Sequence, residues 1–308
     1  MYDKINLLDA VGGTPIVKLN KIVPHDSAEV WVKLEGQNPT GSYKDRMAVS
    51  VLENAIKRGD VKTGERVVEY TGGSTGTSLA FVCSVLDLKF TAVTSDAFSK
   101  IKHQSIEAFG ADLVVIKSKN GNITPDLIQK MKIKASELAK EPQTFYADQF
   151  GSSDVIKGYE GLGKEIVDQV GKIDVLCSAV GTGGALMGTY NGIVISGVKP
   201  KLIALEPSQS PFLTTGKGGA HKVEGIGLGF APPFLDKDKL DSVKSVDQDK
   251  AFDMCRLLAR EEGLFGGGST GLNICAAIEI AKEIGPGKKV VTLNCDTGLK
   301  YLGSHIYT

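Results

Sequence analysis

The feature that most restricts the fold is an alternation running the length of the chain. Short apolar, β-branched runs recur: "EVWVKLE" (29–35), "RVVEY" (66–70), "FTAVTSD" (90–96), "DLVVIK" (112–117), "TFYAD" (144–148), "DVLCSAV" (174–180), "KLIALEP" (201–207) and "KVVTLNCD" (289–296). Helical patterns lie between most of them, at 45–59, 75–88, 99–109, 126–140, 184–196, 247–262 and 271–284. In "DRMAVSVLENAIKRG", Met47, Val51, Leu52, Ala55 and Ile56 share one face, and Gly59 supplies a C-terminal stop. Strand–helix alternation implies an α/β fold of mostly parallel sheets covered by helices on both faces. About eight strands in 308 residues fit two such sheets better than one. The change of domain is expected near residue 150, where "ADQFGSSD" is polar and rich in Gly and Ser. The longest stretch without a clear period, 208–235, is rich in Gly and Pro and is expected to be an ordered functional loop.

Charge narrows the partners. Lys+Arg and Asp+Glu both number 36, so the formal charge is zero. That balance leaves no electrostatic footprint for nucleic acid or an anionic membrane. No apolar run approaches the length of a membrane span. The five cysteines, Cys83, Cys177, Cys255, Cys275 and Cys295, form no CxxC pair, and most lie in apolar runs. They are expected to be buried, reduced packing residues, which argues against a zinc site and for a reducing compartment. The opening "MYDKINLLDA" lacks the basic and apolar regions of a signal peptide. Cytoplasm is the expected location.

Three glycine-rich corners carry the functional signal. In "DVLCSAVGTGGALMGTY" (174–190) a buried strand, a glycine cluster and a helix follow one another. Such a corner aims backbone N–H groups and a helix N-terminus at one spot, which suits an anion. It is not a dinucleotide fingerprint, because Leu186 stands where the third glycine is needed, and not a P-loop, because Thr189 replaces the lysine. In "VEYTGGSTGTSLAFV" (68–82) the layout repeats with Thr71, Ser74 and Thr75, whose hydroxyls suit a carboxylate. In "EEGLFGGGSTGLNICAA" (261–277) a third strand-like corner offers Ser269 and Thr270. For the first corner an ordinary tight strand–helix turn, and for the second and third simple capping by these hydroxyls, are the alternatives. All three are expected to face one crevice of an open sheet. Beside them, "NPTGSYKDR" (38–46) puts Lys44 at a turn that opens a helix. A phosphate cradle, a carboxylate site and one lysine together suggest pyridoxal phosphate and an amino acid.

These segments resemble the fold type II (β-family) pyridoxal-phosphate enzymes, in their cysteine synthase or O-acetylserine sulfhydrylase branch. The resemblance runs through "VGGTPIVKLN" (11–20), "KLEGQNPTGSYKDRMA" (33–48), "EYTGGSTG", "ADQF" (147–150), "GTGGALMG", "EGIGLGFAPPFLD" (224–236), "GGGSTG" and "NCDTGLKYL" (294–302), in family order. It implies a fold like that of the tryptophan synthase β-subunit. A smaller mobile domain would occupy roughly 40–150 of an N-terminal half (1–150), and a larger phosphate-binding domain 151–308. Strands around 14–35 are free to join the larger domain. Lys44 would be the catalytic Schiff-base lysine. Gly181, Thr182, Gly183, Gly184 and Ala185 would hold the phosphate, Ser269 would face the pyridine nitrogen, and Ser74 would also touch the cofactor. Thr71, Gly72, Ser74, Thr75 and Gln149 would hold the substrate, with Gly225 at the mouth. The implied reaction is β-replacement through an aminoacrylate, giving L-cysteine from O-acetyl-L-serine and sulfide. A homodimer is implied, with serine acetyltransferase as a possible partner. A serine opposite the ring nitrogen cannot protonate it as an aspartate could, which suits elimination or replacement rather than transamination.

Three departures bear on the substrate. Ser74 stands where the family usually has Asn, Ala185 where it has Thr, and "GSSDVIKGYEGLGKEI" after Gln149 lacks the usual Asn-Pro-rich sequence. A second reading therefore keeps the cofactor but changes donor or outcome: a cysteine desulfhydrase, a serine dehydratase or another β-substituted alanine synthase. A third, a non-catalytic binding partner of serine acetyltransferase, is disfavoured by the presence of both Lys44 and Ser269.

Overall fold

The computed structural model describes residues 6–121 and 124–307. In chain order its strands are β1 (Ile16–Lys18), β2 (Glu29–Leu34), β3 (Arg66–Tyr70), β4 (Lys89–Ser95), β5 (Asp112–Ile116), β6 (Thr144–Tyr146), β7 (Val175–Ala179), β8 (Lys201–Pro207), β9 (Ser242–Val246) and β10 (Lys289–Asn294). Its helices are α1 (Lys44–Arg58), α2 (Ser74–Val85), α3 (Lys100–Ala108), α4 (Pro125–Leu138), α5 (Asp154–Gly158), α6 (Glu160–Val170), α7 (Gly184–Ile195), α8 (Phe212–Thr215), α9 (Gln248–Glu261) and α10 (Gly268–Ile284). The chain divides into two compact units. The smaller holds the described residues through Val11 together with Lys44–Gly158; the larger holds Gly12–Tyr43 and Tyr159 onward.

The smaller unit is built on a four-stranded parallel sheet in the order β5-β4-β3-β6. Side chains alternate across a strand. Val68, Tyr70 and Val93 therefore turn to one face, where they pack with Leu127, Met131 and Ala135 of α4. Val67 and Glu69 turn to the opposite face.

The larger unit has a six-stranded sheet in the order β1-β2-β10-β7-β8-β9, parallel except for β1 against β2. Its main core unites Val30, Val32, Cys177, Leu205 and Val290 of the sheet with Leu272, Ala276 and Ile280 of α10. α10 is apolar on nearly every side because it is covered by both the sheet and α9.

α6 and α7 pack backbone to backbone. A Cβ built on Gly163 would lie 2.1 Å from the Thr189 carbonyl oxygen, and one on Gly192 1.9 Å from that of Glu160. Backbone cannot swing aside as a side chain can. Gly192→Ala should therefore separate the two helices and destabilise the protein by about 2 kcal/mol or more. Equilibrium denaturation measures this, and an unchanged midpoint would contradict the packing.

The expected strands and longer helices are present within a few residues, and the two parallel sheets carry helices on both faces. Four differences have physical causes. β1 and β9 were not among the eight apolar runs: β1 has three residues, and β9 is a half-exposed edge strand. α5 and α6 occupy a stretch whose glycines weaken a helical pattern. The corner before "GGGSTG" is not a strand. α9 precedes it, and only an isolated bridge joins Gly266 to Thr297, since three consecutive glycines carry no β-branched side chain to pack. Cys275 is half-buried rather than buried, on the side of α10 facing the Lys250 carbonyl, while the other four thiols are buried.

Candidate active site

In the smaller unit, α1 begins at Lys44 itself. The preceding turn belongs to the larger unit and is held there by Gly41 N–H donating to the Asn38 carbonyl (2.7 Å) and Tyr43 N–H to the Cys295 carbonyl (3.0 Å).

β3 ends at Tyr70, and the loop Thr71–Gly73 leads into α2. The Thr71 hydroxyl oxygen accepts from Gly73 N–H (3.0 Å) and Gly76 N–H (3.2 Å), so it folds the loop on itself. The Thr75 hydroxyl donates to Gln149 Oε1 (2.8 Å), and Gln149 Nε2 donates to the Tyr70 carbonyl (2.9 Å). Gly72 lies against the ring of Phe98, which a Cβ would strike at 2.8 Å. Thr71, Gly72, Ser74, Thr75 and Gln149 thus form one constellation. Capping accounts for only part of it: the Thr71 hydroxyl takes the first-turn amide of Gly76, while the N-cap Gly73 has no side chain and the Ser74 hydroxyl makes no hydrogen bond to the described residues. A helix start whose N-cap is a glycine, beside an unused hydroxyl, suits an anionic ligand.

Glu69, one residue before the end of β3, was not singled out by sequence. It is fully buried, and its oxygens accept from Tyr70 N–H (2.9 Å) and Gln149 N–H (2.8 Å). Burial pushes its carboxyl from 4.5 up to about 8, against the pull of the two amides. The unfolded chain releases this proton near 4.5 and the folded chain near 8, so between those values the folded state binds more protons. Its stability should fall as pH rises through that window. Glu69→Gln should flatten the fall, measured as unfolding midpoints at pH 5 and pH 8; an identical slope in the variant would refute the linkage.

In the larger unit, β7 runs into Val180–Gly183 and then α7. The Thr182 carbonyl accepts from Phe234 N–H (3.0 Å) and the Val180 carbonyl from Gly227 N–H (3.1 Å), so the 208–235 stretch is an anchored loop. Gly225 is exposed, and its carbonyl oxygen would lie 2.3 Å from a Cβ on Gly181. Gly183, with φ +88°, is the N-cap, and α7 has no side-chain cap. Thr182 Oγ1 accepts from Gly184 N–H (3.3 Å), leaving the first-turn amides of Ala185 and Leu186 without a capping partner.

Ser269 is the second residue of α10 and only 7% exposed, yet its hydroxyl makes no hydrogen bond to the described residues. Thr270 instead accepts from Cys295 N–H (3.2 Å). Asn273, another residue that sequence passed over, ties this helix end to the sheet. It accepts from Ala179 N–H (2.7 Å) and donates to the Leu293 carbonyl (2.8 Å). The signal for Glu69 and Asn273 is the same: one polar residue inside an otherwise apolar run.

The model of the family described as "Pyridoxal-phosphate dependent enzyme" matches residues 7–296. The chain belongs to that family. Within it, a cysteine synthase of Staphylococcus aureus is 39% identical, covering 98% of this chain and 97% of its own length. An O-ureido-L-serine synthase of Streptomyces lavendulae is 34% identical, covering 98% and 92%. Among solved structures, a hydrogen sulfide-producing enzyme of Fusobacterium nucleatum superposes with a TM-score of 0.89 at 34% identity, covering 97% of this chain and all of that one. The protein is thus a pyridoxal 5'-phosphate-dependent enzyme of the cysteine synthase family, with the type II fold. Its residues fit the cofactor. The buried start of α7, with the amides of Ala185 and Leu186 lacking a side-chain cap, suits a phosphate, and the Ser269 hydroxyl, without a partner among the described residues, suits a ring nitrogen as donor.

Proposed function

We propose that this enzyme replaces the Cβ substituent of an activated serine, making L-cysteine from O-acetyl-L-serine and sulfide. The observation that carries the reaction class is Ser269, a residue only 7% exposed at the start of α10 whose hydroxyl has no hydrogen-bond partner among the described residues. Pyridoxal phosphate, when bound, supplies the electron sink that acidifies Cα and lets a β-substituent leave. A neutral hydroxyl at its ring nitrogen keeps that sink weak, which favours loss of the leaving group over transamination.

The chain's own residues then divide the work. Gly181, Thr182, Gly183, Gly184 and Ala185 bind the phosphate. Lys44 would hold the cofactor covalently, and its Nζ would take the proton from the substrate Cα and later return it. Thr71, Gly72, Ser74, Thr75 and Gln149 orient the substrate carboxylate, Ser74 also touches the cofactor, and Gly225 lines the entrance. We assign the enzyme to the cytoplasm as a homodimer, with serine acetyltransferase as a candidate partner. The burial of four of its five cysteines supports a reducing compartment.

The test is product identification. Cofactor-loaded protein is incubated with O-acetylserine, serine and cysteine, with and without sulfide. Cysteine from O-acetylserine and sulfide is the expected main product. Pyruvate from serine or cysteine as the main product would replace this reading with elimination.

Ser74 favours a second reading, in which donor or nucleophile differs. Its relatives include an O-ureido-L-serine synthase and a hydrogen sulfide-producing enzyme. Serine is shorter than the asparagine usual at this position, and losing one donor to a charged group costs about 1.5–3 kcal/mol. Because the Ser74 hydroxyl makes no hydrogen bond to the described residues, Ser74→Asn breaks none of those they make. The variant should fold normally and shift kcat/KM towards O-acetylserine by about tenfold. Steady-state kinetics with O-acetylserine and cysteine reads this out, and an unchanged ratio removes position 74 from the specificity argument.

A further inference from the structure

We propose that Glu69 is a positioning residue of the carboxylate-binding loop, fixing the backbone from which Gln149 acts. The proposal rests on the assignment of Gln149 to the substrate carboxylate.

The geometry begins where two strands part. β3 and β6 pair only as far as Val68 and Tyr146, with one further bond from Ala147 N–H to the Val68 carbonyl (3.1 Å). Beyond that point the ladder ends and the chain turns away. Asp148 makes the turn with φ +48°, in the left-handed region that a residue with a Cβ rarely adopts. The next residue is Gln149. Into the gap between the diverging chains comes the Glu69 carboxyl. It takes one amide from each side, Tyr70 N–H at 2.9 Å and Gln149 N–H at 2.8 Å. A single side chain thus stands in for the missing rungs of the ladder.

Gln149 is consequently fastened at three points: its amide to Glu69, its Nε2 to the Tyr70 carbonyl and its Oε1 to the Thr75 hydroxyl. Its Nε2 carries two hydrogens, and the described residues use one. The other is available to a ligand only while the side chain keeps this orientation. Removing Glu69 frees both amides and releases the turn at Asp148, so Gln149 loses the anchor that sets its direction.

Burying a carboxyl in a strand is unfavourable, and an apolar residue would serve packing alone. A carboxyl is nonetheless the group the gap requires. In either protonation state both of its oxygens accept. A glutamine there would set its NH2 against one of the two N–H groups.

The test titrates cofactor-loaded protein with L-cysteine and L-serine, following the change in cofactor absorbance, and separately measures pyridoxal phosphate affinity. Glu69→Ala should raise the half-saturating amino-acid concentration about tenfold or more, with cofactor affinity within about twofold of the parent. Glu69→Gln, which keeps the volume and one acceptor, should fall between, and it carries the test if the alanine variant does not fold. Adding Glu69→Ala to Gln149→Ala should cause no further loss, because both act through one contact. Parental half-saturation in the Glu69 variants, beside a weakened Gln149→Ala, overturns the proposal alone. So do fully additive losses in the double variant. A Gln149→Ala protein that binds both amino acids normally sinks the carboxylate assignment, and the Glu69 proposal with it.

Discussion

Lys44→Ala should lower turnover of O-acetylserine and sulfide by about a thousandfold or more, because one substitution removes the residue proposed both as covalent anchor and as proton carrier. The side chain is the first of α1, and the turn before it is fixed by backbone hydrogen bonds at Gly41 and Tyr43. The alanine variant leaves both of those backbone bonds in place. Lys44→Arg is the sharper control. It keeps the charge, but a guanidinium stays protonated and cannot form the Schiff base, so it should be as inactive as alanine. Borohydride reduction of the parent, followed by peptide mapping, should place the pyridoxyl group on Lys44. A label on another lysine, or a Lys44→Arg variant with substantial turnover, would end the assignment.

The second large effect is expected at the phosphate loop. Gly183→Asp should weaken pyridoxal phosphate binding by about a hundredfold or more. Two causes combine. Gly183 has φ +88°, and a Cβ there would lie 2.7 Å from the backbone nitrogen of Leu235, so any side chain displaces the loop from the 234–235 segment. An aspartate at the N-cap also brings a carboxylate to the helix start where the phosphate is assigned. It would occupy the amides of Ala185 and Leu186 and repel the dianion. Gly183→Ala separates the two terms, since it has the steric conflict without the charge, and should show a smaller loss. Equilibrium dialysis with cofactor absorbance measures both. If Gly183→Asp binds the cofactor as well as the parent, the cradle lies elsewhere in the chain.

Much of the fold is legible in local sequence. "RVVEY" and "KLIALEP" coincide with β3 and β8, because a strand buried in a parallel sheet must be apolar along its length and its ends must be polar or Gly-rich. The glycine-rich corners are legible for a related reason. A chain that turns from a strand straight into a helix around an anion has little choice but small residues, and such residues stand at 72–73 and 181–184. What hides is any element whose reason for existing is its neighbour. α6 reads as a glycine-diluted stretch because Gly163 serves the close approach to α7, not the helix that contains it. β9 reads as polar because it covers only the edge of the larger sheet beside β8.

Local pattern was therefore enough to establish strands alternating with helices, two anion-suited corners and a lysine at the head of a helix. Each follows from backbone geometry and burial within a window of some fifteen residues. The partners of those elements were decided only in three dimensions. β2 lies beside β10, more than 250 residues away in the chain, because the valines of β2 complete the face that α10 covers. The hydroxyls at 75 and 270 look like caps in sequence, yet they bind Gln149 and the amide of Cys295, residues that no periodicity connects to them. Glu69 looks like a misplaced charge in a strand until β3 and β6 diverge around it. A buried polar group is intelligible only through the partners that satisfy it, and tertiary structure alone brings those partners together.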